Sequence, residues 1–181
     1  MTGMERMRDR GLGFEVDKLT NSIKNILTGE TFATELVGLR KDDAKFIQKS
    51  EWLFDWVREM ANENREVYKL TTRENPSVIQ GLISFSDQHD HIFIHLLESA
   101  SFNIGRKKMY RGVAENLVAF VCKRSFEKGY AGFVAFISKT KLIEHYENTL
   151  FAKRIWGHRM FLDTQAAYRL VRSYFNEIDE N

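Results

Sequence analysis

The residues of this 181-residue chain best suited to chemistry lie between positions 106 and 116. Arg106, Lys107, Lys108 and Arg111 precede Gly112-Val113-Ala114, and helical spacing begins at Val113. A helix start leaves backbone N–H groups outside the hydrogen-bond ladder and carries about half a positive charge, which suits phosphate oxygens. Gly112 and Ala114 leave that backbone uncovered, so a diphosphate could approach closely. The stretch is not a Walker loop, because no Gly-Lys-Ser/Thr follows, and it lacks the Gly-x-Gly-x-x-Gly dinucleotide spacing. The same residues also read as a glycine turn beside a solvated basic run.

Three histidines form a second candidate. His89, His91 and His95 share one run, and even spacing puts His91 and His95 on one strand face. They could form a metal pair with Asp90 or a general-base position at His95. Half-buried, hydrogen-bonded strand histidines are the commoner outcome, and we expect no metal. His145 and His158 read as surface or packing residues. Cys122, the single cysteine, falls beside Val121 within a helical pattern and reads as an inert buried thiol. One cysteine excludes a disulfide framework and fits a reducing cytoplasm. Trp52, Phe54 and Trp56 could wall a substrate site, but core is the better reading.

Composition frames these candidates. The chain is 43% hydrophobic and 29% charged, ordinary globular values with enough apolar material for one sizeable core. Lys and Arg total 27 against 25 acids, a net charge of +2, which is weak support for a nucleic-acid or acidic-membrane partner. An RNA-binding reading would rest on the basic run 106–111 alone. No apolar run approaches the roughly 20 residues of a membrane span. Residues 1–10 are charged with no apolar stretch after them, which predicts no secretion signal and a cytoplasmic, single-domain protein.

The elements that must position the candidates follow from periodicity. Residues 14–40 alternate in short pieces around Thr28-Gly29-Glu30 and read as extended. Residues 41–62 read as helix broken near Ser50, from Phe46, Ile47, Leu53, Phe54, Trp56, Val57 and Met60. Runs at 67–72, 78–85 and 91–97, separated by short polar breaks, predict an antiparallel meander. Residues 98–112 read as a loop. Val113, Leu117, Phe120, Val121 and Phe126 then give a helix over 113–127, stopped at Lys128-Gly129-Tyr130. A buried strand at 132–137, a helix at 141–150, strands at 152–155 and 159–162, and a helix at 164–175 complete the order. This predicts an α+β (α/β mixed) fold with a central mixed, mostly antiparallel sheet flanked by helices.

Three segments taken together resemble the GNAT family of acetyl-CoA-dependent N-acetyltransferases. They are Tyr110-Arg111-Gly112-Val113-Ala114-Glu115-Asn116-Leu117, Glu127-Lys128-Gly129-Tyr130-Ala131-Gly132-Phe133 and residues 142–150 around His145-Tyr146-Glu147. The family's Gln/Arg-x-x-Gly-x-Gly/Ala loop, with Leu three residues on, matches at Gly112, Ala114 and Leu117. Its Gln/Arg position falls on Met109, with Lys108 and Arg111 nearby, and Phe151 stands where the family often has Gly. The resemblance covers roughly residues 64–162. It implies one GNAT-like domain over 1–181, with an acceptor-side region at 1–63, an acetyl-CoA core at 64–162 and a C-terminal helix at 163–181.

The resemblance further implies acetyl transfer to an amine of a small molecule, peptide or protein, with acetyl-CoA as co-substrate. Glu98 would take the ammonium proton, directly or through a water, and Tyr146 would protonate the departing thiolate. Backbone N–H groups around residues 97–99 would polarise the acetyl carbonyl. Acetyl-CoA would contact Leu97, Ser99, Arg111, Gly112, Val113, Ala114, Glu115, Asn116 and Lys139, its arm inserting between the strands at 91–97 and 132–137. Glu98 also reads as a strand-end carboxylate bonded to loop backbone, and Tyr146, in register with Leu142 and Leu150, as plain core. The alternative is a GNAT-like fold that binds ligand without transfer, motivated by Met109 and by bulky Phe151 and Trp156 near the slot. A homodimer is expected from the resemblance alone.

Overall fold

The computed structural model describes residues 22–104, 109–138 and 140–175. Arg106, Lys107, Lys108, Lys139 and residues 1–21, with the extended reading of 14–21, lie outside the described residues. Among the described residues nine strands form one sheet in the order β6-β1-β2-β3-β4-β5-β7-β9-β8. β1 is Ser22–Asn25, β2 Thr31–Gly38, β3 Glu66–Thr72, β4 Gly81–Asp87 and β5 Ile92–Ser99. β6 is Tyr110–Arg111, β7 Val134–Ile137, β8 Lys153–Trp156 and β9 Arg159–Leu162. Neighbours β2 to β5 pair antiparallel, β3 to β5 being the meander read from the sequence, and β5 and β7 pair parallel.

Adjacent strand residues point to opposite faces, and each face has its own core. Ile83 and Phe85 of β4 join Leu70, Ile92, Ile94 and Leu117 in one buried cluster. Leu82, one residue out of phase with them, joins Val67, Ile47, Trp52 and Trp56 in another. On the first face lie α2 (Val113–Glu127) and α4 (Thr164–Tyr174), whose buried residues recur at helical spacing. Cys122 is fully buried there, and burial pushes its thiol pKa up, so it stays protonated and inert. α2 stops as expected at Gly129, φ +80°, with Gly129 N–H donating to Phe126 O and Tyr130 N–H to Ser125 O. A shorter helix, α3 (Ile143–Thr149), follows a 3₁₀ turn at Thr140–Leu142 and packs on the same face.

The second face departs from the expected helix over 41–62. Only a 3₁₀ turn, Lys41–Phe46, and one short helix, α1 (Trp56–Met60), are regular. The rest is a strap laid across the sheet, with Trp52 and Trp56 as its buried anchors. Side chains bond its backbone in place of a helical ladder: the Trp52 indole donates to Phe46 O at 2.9 Å, and Asp55 caps α1 through Arg58 N–H. Lys69 reaches from β3 to Asp43 of the strap at 2.6 Å.

Three smaller corrections bear on the site. β4 begins at Gly81, where an added Cβ would lie 2.9 Å from both Leu117 and Val113, so a glycine lets α2 press on the sheet. β5 runs to Ser99, so Glu98 and Ser99 are strand residues rather than loop. The stretch 98–112 also contains a 3₁₀ turn, Ser101–Asn103, and β6, which pairs with β1.

Candidate active site

A cleft opens where β5 and β7 part. The two run parallel from Ile92 opposite Val134 to Ile94 opposite Phe136. A bulge then interrupts β5: Phe85 faces Ile94 while Ser84 faces Leu96, leaving His95 as the extra residue. The bulge switches the inward phase, so Ile92, Ile94 and Leu97 face α2 while Leu96 packs with the strap. Beyond it β5 stays with β4 to Ser99, whereas β7 ends at Ile137 and follows β9. The space between them is about 420 Å³. β5 supplies one wall from Ile94 to Ser99, and Phe136, Ile137 and Ser138 supply the opposite one.

The start of α2 closes one end. Ala114 and Val118 line the cleft, while Val113 turns into the core. Gly112 caps the helix at φ +85°, and a Cβ there would stand 3.0 Å from the Tyr174 hydroxyl. That conformation and that neighbour both select glycine. Asn116 N–H already donates to Gly112 O, and its buried side-chain amide donates to Thr34 Oγ1 at 3.0 Å. Its side chain therefore ties α2 to β2. Val113, Ala114 and Glu115 are the positions whose N–H groups precede the helical ladder.

Tyr146 enters from α3 and lines the cleft, its ring edge-on to Phe136 at 5.3 Å. Burial raises its phenol pKa above the ordinary 10.0, and Glu115 nearby adds to the rise. The hydroxyl is therefore protonated at neutral pH. His95 lines the strap side of the cleft, its Nε2 2.6 Å from Ser86 Oγ. Ser86 Oγ also accepts from Gln88 Nε2 at 2.8 Å. Burial lowers the His95 pKa below 6.5, and Arg65 lowers it further against the opposing pull of Glu59. The imidazole is neutral at pH 7. His91 instead bonds Asp90 through Nδ1, so these two histidines have separate partners.

Glu98 also lines the cleft but is only 7% exposed. Its Oε1 accepts Leu53 N–H at 2.6 Å, and its Oε2 accepts Phe54 N–H at 3.3 Å and the Trp56 indole N–H at 2.7 Å. All three donors belong to the strap. Leu53 and Phe54, held this way, form the cleft wall on that side. The aromatic trio of the sequence thus divides, with Trp52 and Trp56 in the core and Phe54 at the cleft.

Leu97, Ser99, Ala114, Glu98 and Tyr146 come together around one opening, and Gly112 and Val113 lie at its helix start. Arg111 is placed by its backbone in β6, beside β1. Phe151 and Trp156 do not line the cleft. Phe151, at φ +56°, lies under the Arg169 guanidinium at 4.0 Å, and Trp156 is 72% exposed on the edge strand β8. Met109 is exposed, its backbone bonded to Phe102 and Ile26. Sequence reasoning missed Leu53, Ile104 and Phe136 as cleft residues. The run Ile92-Phe93-Ile94-His95-Leu96-Leu97 is apolar on both sides of His95 and carries no local sign of the bulge. Among the described residues, no group of three or more His, Cys, Asp or Glu could hold a metal, and no helix is long and apolar enough to cross a membrane.

No family model and no curated protein matches the chain by sequence. Solved structures do match by shape. Mutant forms of the spermidine/spermine N-acetyltransferase SpeG from Vibrio cholerae superpose over 75% of this chain and 96% of theirs, with TM-score 0.55 and 12% identity. AtaTR bound with AcCoA covers 76% of this chain and 97% of its own, with TM-score 0.53 and 15% identity. The V. cholerae spermidine N-acetyltransferase in complex with CoA and spermine covers 75% and 98%, with TM-score 0.50 and 14% identity. At such identities the likeness is one of fold, and the fold of this chain is the GNAT fold, a mixed sheet flanked by helices.

Proposed function

We propose that the chain transfers an acetyl group from acetyl-CoA to an amine. The observation that carries this reading is the parting of β5 from β7 at the His95 bulge, which brings the start of α2, Tyr146 and His95 around one cleft. The residues present fit the co-substrate. A 15-residue helix begins at a left-handed glycine cap, where a diphosphate can meet the N–H groups of Val113, Ala114 and Glu115, with Arg111 preceding them. The unpaired edge of β5 from Leu97 to Ser99 offers backbone groups to an extended amide-bearing arm. Lys139 follows β7 in the sequence and belongs to the same proposed contact set.

Acetyl-CoA would supply an activated thioester carbonyl. The backbone N–H groups of residues 97–99 would polarise that carbonyl in a site shielded from water. The amine must be neutral to attack, so a group in the cleft must take its proton. We assign this to His95. In the tautomer that carries its proton on Nε2 and donates it to Ser86 Oγ, at 2.6 Å, Nδ1 keeps the lone pair that receives the amine's proton. As the C–N bond forms and the C–S bond breaks, Tyr146 would give its hydroxyl proton to the sulfur, and the second proton that the nitrogen sheds would restore the phenol, leaving an amide and a free thiol. Glu98, whose oxygens are taken up by three strap donors, serves this scheme by fixing the wall.

Thermal unfolding with saturating acetyl-CoA, beside CoA, ATP and buffer, tests the reading. Ligand at about 100 times its Kd adds roughly 2.7 kcal/mol. For a chain of this length that raises Tm by about 5–11 °C. A rise with acetyl-CoA and CoA but not ATP supports the proposal, and no rise overturns it.

A further inference from the structure

The acceptor side of the cleft has a chemistry that narrows the amine. The sheet separates two approaches. Ala114, Val118 and Tyr146 face the cleft from the helix side, while Leu53, Phe54 and His95 face it from the strap side. An acceptor meeting His95 therefore lies against the strap. There the wall is apolar. Leu53 is 79% exposed at the rim, and across the opening Ile137 of β7 is 63% exposed. Large aliphatic side chains left in water around a concave site mark a surface that an apolar group covers.

Charge argues the same way. A polyamine needs carboxylates for the ammonium groups that do not react, because an unpaired cation is costly to desolvate. Among the described lining residues the one acid is Glu98, and both of its oxygens are taken by strap donors. Glu59, a half-buried acid of the strap that does not line the cleft, is bonded by Ser84 Oγ and paired with Arg65 Nε at 3.2 Å. Neither offers a vacant carboxylate to a second ammonium group.

Building on the acetyl-transfer reading, we infer that the acceptor is a monoamine with an apolar aromatic or aliphatic body seated against Leu53 and Phe54, rather than a polycation. The test compares phenethylamine with spermidine as acceptors, reading CoA thiol release on the full chain, after acetyl-CoA binding has been measured by calorimetry. The expected result is kcat/KM for phenethylamine at least about 10-fold above that for spermidine, the scale on which an apolar pocket discriminates. Leu53→Glu, a change at an exposed side chain, then narrows or reverses that ratio. Spermidine preferred, or neither amine used by a protein that binds acetyl-CoA, overturns this inference and leaves the co-substrate reading standing. Failure to bind acetyl-CoA overturns the reading itself.

Discussion

Glu98→Gln separates a carboxylate that holds the strap from one that takes a proton. The replacement keeps size and shape. In the native chain Oε1 serves Leu53 N–H, and Oε2 serves Phe54 N–H and the Trp56 indole. An amide keeps one acceptor and aims a donor at the other position, so one or two strap donors lose their partner. Hydrogen bonds to a charged group are worth about 1.5–3 kcal/mol against about 0.5–1.5 for neutral ones, and a buried donor left unpaired costs about 1–3. Together these give a loss of about 3–5 kcal/mol, a large share of the stability of a typical domain. For a chain of this length Tm should fall by about 6–20 °C. Circular dichroism melts give that number, and steady-state acetyl transfer well below the new Tm gives the other half. The anchor account predicts kcat within about 10-fold of native, well short of the loss expected on removing a general base, with a raised amine KM as the Leu53–Phe54 wall loosens. An unchanged Tm with kcat reduced by about 10²–10⁴-fold would refute it and make Glu98 the proton acceptor.

His95→Gln should lower kcat by about 10²–10⁴-fold while moving Tm little. In the native chain acetyl transfer should fall as pH drops through the His95 pKa, which lies below 6.5 because burial and Arg65 disfavour the charged ring. Arg65→Met removes one of those causes, so the acid limb of the pH–rate profile should move upward. A limb that stays in place would detach it from His95. Tyr146→Phe should cut kcat by about 10²-fold or more with acetyl-CoA affinity retained, as expected for a lost general acid, and unchanged turnover would return Tyr146 to the role of core residue. Gly112→Ala places a Cβ at φ +85° and 3.0 Å from the Tyr174 hydroxyl. It should lower stability by about 1–2 kcal/mol and weaken CoA binding, read by melts and calorimetry, and a neutral effect on both would contradict the role given to the helix start.

Local signals carried much of the fold. The meander has clean polar breaks, and α2 carries both its apolar spacing and its Gly129 stop within the segment itself. The strap could not be read the same way. Ile47, Trp52, Trp56 and Met60 fall at near-helical spacing, but the segment's conformation is set by bonds to Glu98, a residue 42–45 positions away. No window of sequence contains that partner. The bulge at His95 has no glycine or proline to announce it, so the phase change between Ile94 and Leu97 emerges only from pairing with β4. The consequence falls on the site. Gly112, Ala114 and Tyr146 could be placed by motif, whereas the wall formed by Leu53 and Phe54 needed the three-dimensional arrangement.

The central claim is that the opening between β5 and β7 receives acetyl-CoA, and a crystal structure of the chain with CoA tests it most directly. The account predicts the pyrophosphate on the N–H groups of Val113, Ala114 and Glu115, and the thiol between the parted strands within reach of the Tyr146 hydroxyl. CoA bound elsewhere on the chain, or a cleft that stays empty in crystals grown with saturating CoA, would contradict it.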